Sequence, residues 1–457
     1  MKIETNINNS SPRGRSLEDD FKRLICDERF HDIALKCSDG ETIYGCKAIL
    51  ATRSDVFNSS IFTKSEDNKL SFDDINSTAM KIILEFLYTS KVDKESLTVN
   101  NVIEVYYASI YFDLVDLQNR IIDFTKEFLM DGDDDVGKKL LSECVEKFSL
   151  KVDNEISKIL VKWVAKNKLE RSKIDSLSLE GLRYLLEKTF DAQIPFATPE
   201  FNIWEYALTK VTTNVIQNET FILNEESYSQ CNSQEIEGIK NNLITLIDYI
   251  NLNRMDSEEI KQHVEPFNVF SIEKIKDIFF LQLKDEGLEL IRGVPIFKWK
   301  KNESDTSDDK VIISNNGFVV EELKQPKSIL GDLNFKSNRS NGIYEWDILV
   351  EKLCGIIYIG ICDINEDLKK DQTYHGWVLG SDGYIYHEGK WKWYDAKYKG
   401  GDKVTVHLDM KNKTCAFSIN NIKKPIVPEW NNIPSQVRPI ASLGHGSKLC
   451  IKAHMKN

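Results

Sequence analysis

Histidine side chains are the first candidates for acid–base or metal chemistry in this chain of 457 residues. His375 and His387 are near enough in sequence to meet in space, and His445 falls in a predicted loop. The sequence has no G-x-S-x-G elbow, P-loop, G-x-G-x-x-G after a strand or H-E-x-x-H pair beside them. A structural role is therefore favoured for these histidines. No enzyme activity, cofactor or metal is predicted.

Cysteines and clustered carboxylates give no stronger signal. The nine cysteines are scattered and form no C-x-x-C pair. Buried thiols in a reducing compartment are favoured over a disulfide framework or a zinc site. The acidic run Asp131–Asp135 lacks the twelve-residue oxygen pattern of a calcium loop. It predicts a solvated break between helices.

Charge and hydropathy limit the class of partner. The net charge is −12, which argues against a basic surface that binds nucleic acid. No window of about 18 apolar residues occurs, so no membrane span is predicted. Residues 1–20 are polar and are predicted to be disordered, without the apolar core of a secretory signal. The cytosol or the nucleus is the expected location.

A compact mixed block is predicted after this segment. Ile33, Leu35 and Cys37 alternate with polar positions as in a half-buried strand, and Asp39-Gly40 is a hairpin signal. A second strand around 42–46 and a helix from Lys47 follow. A stripe at 80–87 predicts a helix capped by Ser77 or Thr78. Residues 98–130 predict two helices with a break near Tyr111–Asp113.

Helical spacing dominates residues 137–285. Leucine, isoleucine and tryptophan stripes recur, and Thr198-Pro199-Glu200 is a helix start. Residues 213–236 are polar and are predicted to form a loop. A linker is predicted at 286–312. Short alternating strands then begin, including Tyr344–Ile348 and Val404–Leu408, and their number favours a β-sandwich over 313–457.

The first block, residues 21–130, resembles the BTB/POZ family. The resemblance lies in Phe30–Ile33, Cys46–Ala51, Ser54–Phe57 and Glu85–Lys91. It implies a module that dimerises and, in several members, binds a cullin-3 scaffold. The implied dimer or cullin contacts are Asp32, Lys47, Phe62, Glu66, Tyr106 and Tyr107. Core packing remains an alternative for Phe62 and the two tyrosines.

The middle block, residues 137–285, resembles a BACK domain. The matching segments are Ile159–Val164 and Phe201–Leu208. BACK domains follow BTB domains in cullin adaptors, so the resemblance implies a helical spacer. Core packing is favoured for Trp163 and Trp204, which lie at helical spacing.

The last block, residues 313–457, is similar to SPRY domains. The resemblance lies in the segments 342–346, 357–361, 383–389, 401–404 and 417–421. SPRY domains bind segments of partner proteins at a rim of loops. The resemblance places this rim at Tyr374 and at the loop of Leu443, Gly444, His445 and Gly446. Trp377, Trp391, Trp393 and Tyr394 are candidates to extend the rim, and core packing is the favoured alternative for these four.

The predicted fold is a multidomain α+β chain with an α/β BTB domain, an all-α BACK domain and an all-β SPRY sandwich. The favoured function is a non-catalytic, homodimeric substrate adaptor of a cullin-3 RING ubiquitin ligase, with a protein target on the SPRY rim. The alternative is a dimeric interaction scaffold without a role in ubiquitination. In its favour, Phe62–Leu70 is short and gives Glu66 no hydrophobic neighbour. A transcription regulator is disfavoured by the acidic charge.

Overall fold

The computed structural model divides the chain into two compact units. One unit contains the described residues up to Leu129 together with those of 139–159, and the other contains 130–138 and the chain from Leu160 onward. The structure describes residues 13–63, 68–131, 134–148, 154–170, 175–216, 231–284, 292–300, 311–322, 327–336, 342–366, 368 and 374–455.

The N-terminal unit surrounds a small mixed sheet with helices. Strand β1 is antiparallel to β2 and parallel to β3. The elements in chain order are α1 (Leu17–Cys26), β1 (Ile33–Lys36), β2 (Thr42–Gly45), α2 (Lys47–Arg53), α3 (Asp55–Thr63), β3 (Lys69–Ser71), α4 (Ser77–Thr89), α5 (Val102–Tyr111) and α6 (Val115–Asp131).

Helix α1 corrects the prediction of disorder over residues 1–20. The Ser16 hydroxyl accepts a hydrogen bond from the Asp19 backbone N–H at 3.2 Å. Three acidic residues occupy the first turn, where they complement the positive end of the helix dipole. Residues 17–20 are therefore helical, and 1–12 lie outside the described residues.

The start of α4 differs from the predicted cap by one residue. The Asn76 side chain, rather than Ser77 or Thr78, accepts the hydrogen bond of the Ala79 backbone N–H, at 2.9 Å. Ser77 is already helical, and its backbone N–H donates to Asp39. The predicted stripe of α4 is buried, and the predicted break after α5 is confirmed, with Asp113 at a φ of 52°.

A helical region links the two ends of the chain. Of the predicted loop at 213–236, the described residues 213–216 and 233–236 are helical, and 217–230 lie outside the described residues. Within the acidic run, α6 ends at Asp131 and α7 begins at Asp134, and 132–133 lie outside the described residues. The helices are α7 (Asp134–Lys147), α8 (Glu155–Lys166), α9 (Leu179–Thr189), α10 (Glu200–Ile216), α11 (Ser233–Ile244), α12 (Ser257–His263) and α13 (Ile272–Lys284).

Three short strands interrupt the pattern predicted for residues 137–312. Strand β4 (Pro195–Phe196) pairs in parallel with β5 (Val294–Pro295). Strand β6 (Trp299–Lys300) pairs with a strand of the sandwich, and Trp299 is buried. The predicted linker at 286–312 is therefore wrong for 294–300. A two-residue strand is too short to show an alternating pattern.

The C-terminal part is a sandwich of two antiparallel sheets. The remaining strands are β7 (Val311–Ser314), β8 (Val319–Glu322), β9 (Lys327–Gly331), β10 (Phe335–Lys336), β11 (Ile343–Lys352), β12 (Tyr358–Asp363), β13 (Trp377–Gly380), β14 (Tyr384–His387), β15 (Lys390–Trp393), β16 (Lys403–Asp409), β17 (Thr414–Ile419), β18 (Ile422–Lys423), β19 (Gln436–Leu443) and β20 (Lys448–Ala453).

The two sheets enclose one apolar core. One sheet has the order β15-β14-β13-β12-β19-β9-β6, with β10 beside β19, and the other has the order β18-β17-β16-β11-β20-β8-β7. Trp346 and Phe417 are fully buried between them. The predicted combination of a mixed N-terminal domain, a helical middle region and an all-β sandwich is confirmed. None of the helices in the described part of the chain is long and apolar enough to cross a membrane.

Candidate interaction surfaces

Asp32 and Lys47 are adjacent in the structure and hold α2 against the small sheet. The Asp32 carboxylate accepts the Lys47 backbone N–H at 2.7 Å, at the first residue of α2. The Lys47 ammonium donates to the Asn68 side chain, beside β3. A carboxylate at a helix N-terminus satisfies a backbone donor that lacks an intrahelical partner. Asp32 and Lys47 therefore both form hydrogen bonds within the domain.

Phe62 is an exposed aromatic side chain on α3. It is 75% exposed, so it is not part of the core. Its helix is fixed by Phe57, whose ring stacks on Phe112 at 4.3 Å, and by Ser54, whose hydroxyl donates to the Phe112 carbonyl at 3.2 Å. The helix of Phe62 therefore lies beside the end of α5. Glu66 lies outside the described residues.

Tyr106 and Tyr107 lie on α5 but differ in accessibility. Tyr106 is only 3% exposed and packs edge-on against Phe148 at 6.1 Å. Tyr107 is half-buried, 5.4 Å from the same ring, with the Lys147 ammonium 4.7 Å from its own ring centre. Burial raises the pKa of both phenols. Tyr106 thus serves packing, and Tyr107 contributes part of a surface.

Exposed apolar residues at the junction of α5 and α6 were missed by the sequence reasoning. Ile110, Tyr111 and Val115 are all exposed there. Because Phe112 contacts α3, this junction is near the helix that carries Phe62. The available signal was the set of apolar residues at a predicted helix break, where no buried stripe requires them.

Tyr374 belongs to an aromatic cluster on the outer face of the sheet that contains β15. Its ring centre is 5.3 Å from that of Tyr358 and 4.9 Å from that of Tyr386. The Tyr386 hydroxyl donates to Asp382 at 2.5 Å. Burial raises the pKa of Tyr358 and of Tyr374, and burial together with the Asp382 hydrogen bond raises that of Tyr386.

Trp377 points to the opposite side of the same sheet. Its ring stacks on His387 at 4.3 Å, and its indole N–H donates to the Asn432 side chain at 3.0 Å. It packs with the core between the sheets, whereas Tyr374 packs with the outer cluster. The structure therefore does not bring these two predicted rim residues to one surface.

The predicted rim segment 443–445 exposes one side chain. Leu443 is in the core, and Gly444 is buried with no room for a larger residue, because a Cβ atom would lie 2.3 Å from the Cys354 carbonyl oxygen. The exposed His445 ring lies 3.5 Å from the Glu322 carboxylate. His445 is the accessible member of this part of the rim.

The edge strand β15 carries two exposed tryptophans. Trp391 is 67% exposed and Trp393 is 46% exposed. Tyr384 contacts both rings, at 5.4 and 4.9 Å, and the Lys397 ammonium is 5.4 Å from the Trp393 ring centre. Tyr394 instead turns towards the core and contacts Phe417. Contiguous exposed aromatic groups of this kind mark interaction sites.

In the sandwich, hydrogen bonds connect Glu345, His407 and Ser418 in an order that resembles a catalytic triad. His407 lies 2.6 Å from the Glu345 carboxylate and 2.6 Å from the Ser418 hydroxyl. Ser418 is 3% exposed within the sheet, so a substrate carbonyl does not reach its oxygen. His375 pairs with Glu366, and His387 with the Gly376 carbonyl.

The cysteine thiols are the other side chains whose chemistry could define a site. Burial raises the pKa of Cys144 and of Cys362 to about 12, so both remain protonated thiols at neutral pH. All nine cysteines are free. Within the described ranges, no three histidine, cysteine or carboxylate side chains are arranged to hold a metal ion.

One family model matches the N-terminal domain of the chain. Residues 21–129 match the family model described as the BTB/POZ domain. No curated protein is significantly similar in sequence to this chain. Among solved structures, the BTB domain of zebrafish PATZ1 is 23% identical with a TM-score of 0.21, covering 24% of this chain and 89% of that one.

Two further solved structures are similar to the chain. The SPRY domain of human HERC1 is 18% identical with a TM-score of 0.28, covering 32% of this chain and 94% of that one. The PSpry domain of TRIM65 is 12% identical with a TM-score of 0.27, covering 35% and 92%. The family model matches residues 21–129, and the N-terminal domain is accordingly a BTB/POZ domain.

Proposed function

We propose that the protein is a non-catalytic, homodimeric adaptor that presents a target protein to a cullin-3 RING ubiquitin ligase. The observation that carries the proposal is the exposed Phe62 within the BTB/POZ domain. An exposed phenylalanine on a well-packed helix suggests a surface that is covered in a complex.

The proposed cullin surface combines α3 with the junction of α5 and α6. Phe62 supplies one aromatic side chain, and Ile110, Tyr111 and Val115 supply further exposed apolar area. The contact between Phe57 and Phe112 holds the two parts side by side. Aromatic groups at the centre of an interface contribute most to affinity.

The sandwich supplies the proposed target site, and we assign it to the SPRY class by its sequence motifs. The helical region acts as the spacer between this site and the BTB domain. The mechanism is proximity, since tethering raises the effective concentration of target lysines near the ubiquitin-loaded enzyme. We propose the cytosol or the nucleus as the location, because the free cysteines suit a reducing compartment.

Calorimetry with the full chain and the N-terminal helices of cullin-3 tests the proposal. We expect the wild type to bind and Phe62→Ala to weaken binding by about tenfold or more, as for an aromatic hot spot. Tyr44→Ala is the control, because Tyr44 is also an exposed aromatic residue of this domain but lies on β2. Absence of wild-type binding, or an equal loss in both variants, would contradict the proposal.

The second candidate is a dimeric scaffold without ubiquitin transfer. The short segment Phe62–Leu70, which gives Glu66 no hydrophobic neighbour, favours it. This function predicts a dimer in sedimentation experiments that binds no cullin-3. It also predicts that target abundance is unchanged by a proteasome inhibitor, whereas the adaptor function predicts that target protein accumulates.

A further inference from the structure

The strand β15 ends its sheet with an open edge. It pairs with β14, and no strand of the described residues pairs with its other side. Its hairpin closes through Glu388 and Gly389, with φ values of 48° and 74°. Two consecutive positive φ values in a two-residue loop are typical of a type I′ turn.

This turn determines which backbone groups are free. His387 and Lys390 flank the loop and form a hydrogen-bonded pair, and hydrogen-bonded pairs then alternate along the hairpin. The backbone groups of Lys390 and Lys392 therefore face β14. Those of Trp391 and Trp393 face the open edge, where an added strand can bond to them.

The side chains of β15 also divide into two kinds. Trp391 and Trp393 lie with Tyr384 on the outer face of the sheet. Lys390 and Lys392 lie on the other face, where the Lys392 ammonium pairs with Glu429. They border a cavity of about 400 Å³ that also includes His387, Trp430, Asn431 and Asn432.

A second copy of this strand is a poor partner for it. Antiparallel pairing of two such edges would place tryptophan opposite tryptophan and lysine opposite lysine. Like charges directly opposite each other destabilise a strand pair, and edge lysines are a common protection against such pairing. The same lysines favour a different chain that carries carboxylates at those positions.

We propose that β15 binds an extended segment of a partner protein as an additional antiparallel strand. Apolar side chains of the segment cover Trp391 and Trp393, and acidic side chains face Lys390 and Lys392. The added strand receives its affinity from backbone hydrogen bonds and its specificity from the alternation. The inference rests on the proposed role of the sandwich in binding targets, and it specifies the sequence pattern of those targets.

Peptide binding to the 457-residue chain tests the edge. The probe is a labelled, capped peptide, Ser-Val-Glu-Val-Glu-Val-Ser, measured by fluorescence anisotropy. A residue opposite Trp391 or Trp393 uses its own N–H in the pairing. N-methylation of the valine amides should therefore abolish binding, whereas N-methylation of the glutamate amides should preserve it. Failure of the unmodified peptide to bind overturns the proposal.

Variants of the protein test the side chains. We expect Trp391→Ala to weaken binding by about tenfold. Ile422→Ala is the matched control, because Ile422 is also 67% exposed but lies on β18, at the edge of the other sheet. Equal losses in the two variants would refute the assignment to β15.

A charge exchange distinguishes specific binding at the edge of β15 from nonspecific binding. Lys390→Glu should weaken binding of the glutamate peptide and strengthen binding of its counterpart with lysine in place of glutamate. Lys390 is chosen because Lys392 holds Glu429. Binding that does not follow the exchange overturns the proposal. If this occurs while dimerisation and cullin-3 binding persist, the edge site fails and the adaptor function stands.

Discussion

Asp175 binds three side chains in the helical region. Its carboxylate lies 2.6 Å from the Lys138 ammonium and 2.6 Å from that of Lys210, and it accepts the Tyr206 hydroxyl at 2.7 Å. Burial by itself would raise the pKa of Asp175, but the hydrogen bonds from Lys138 and Lys210 outweigh it and lower the pKa below 3.8. The folded state therefore favours the ionised carboxylate of Asp175.

Asp175 predicts a specific loss of stability in acid. The pKa of Asp175 is lower in the folded state than in the unfolded state. As the pH falls below 3.8, the unfolded state therefore binds the proton before the folded state does. The free energy of unfolding decreases until the pH reaches the pKa of the folded state. Asp175→Asn should lower stability at pH 7, and its deficit relative to wild type should shrink between pH 4 and pH 2. Urea midpoints from circular dichroism measure this.

The exposed Asp395 provides the comparison for this experiment. It pairs with Lys424 at the surface of the sandwich. Exposed ion pairs contribute little, so Asp395→Asn should leave the pH profile unchanged. A profile of Asp175→Asn that parallels the wild type down to pH 2 would show that this carboxylate does not carry the acid dependence.

The cap of α4 makes a prediction for a single element. Asn76→Ala removes the acceptor of the Ala79 N–H and should cost about 1 kcal/mol. Thr78→Ala should change stability by less, because Thr78 is exposed within the helix. Hydrogen exchange of the α4 amides measures both. A larger loss at Thr78 than at Asn76 would contradict the assignment of the cap.

Long elements could be predicted from the sequence, and short ones could not. The stripe of α4 and the alternation in β11 each extend over several periods, so their type and buried face were evident. Strands β4 and β6 contain two residues each and depend on distant partners. Their existence is a consequence of tertiary packing, which no local pattern records.

The candidate rim shows a second limit of sequence reasoning. Tyr374 and Trp377 are three residues apart, and the intervening Gly376 has a φ of 75°. Strand alternation does not extend through such a turn, so the faces of the two aromatic residues could not be predicted. The sequence also did not distinguish the buried Tyr106 from the exposed Phe62, because tertiary packing determines the burial of each side chain.

The largest unit of the molecule is joined by a buried ion pair. Arg292 and Glu200 are fully buried, and the guanidinium donates to the carboxylate at 2.7 Å. Arg292 also donates to the Leu186 carbonyl and the Thr189 hydroxyl, while Glu200 accepts the Asn251 N–H. The segment that leads into the sandwich is thereby fixed to three parts of the helical region.

Loss of one partner of this pair should destabilise the helical region and the sandwich together. Glu200→Gln leaves a buried guanidinium without its counter-charge, which costs about 3 kcal/mol or more. Hydrogen exchange should accelerate both in α10 and in β6. The control is Asn316→Ala, which removes a hydrogen bond to Asn167 in the same unit. An effect limited to α10 would show that the pair does not link the two parts.

The turn at Glu388 and Gly389 sets the register of β15 against β14, and the length of the turn can change that register. The turn sets Lys390 opposite His387 and thereby decides which residues of β15 face outward. One inserted residue would shift the strand by half its period and exchange the tryptophan and lysine faces. Loops tolerate such insertions. A single inserted residue can therefore exchange the partner residues that the edge of β15 selects, without a change to any residue of the core between the two sheets.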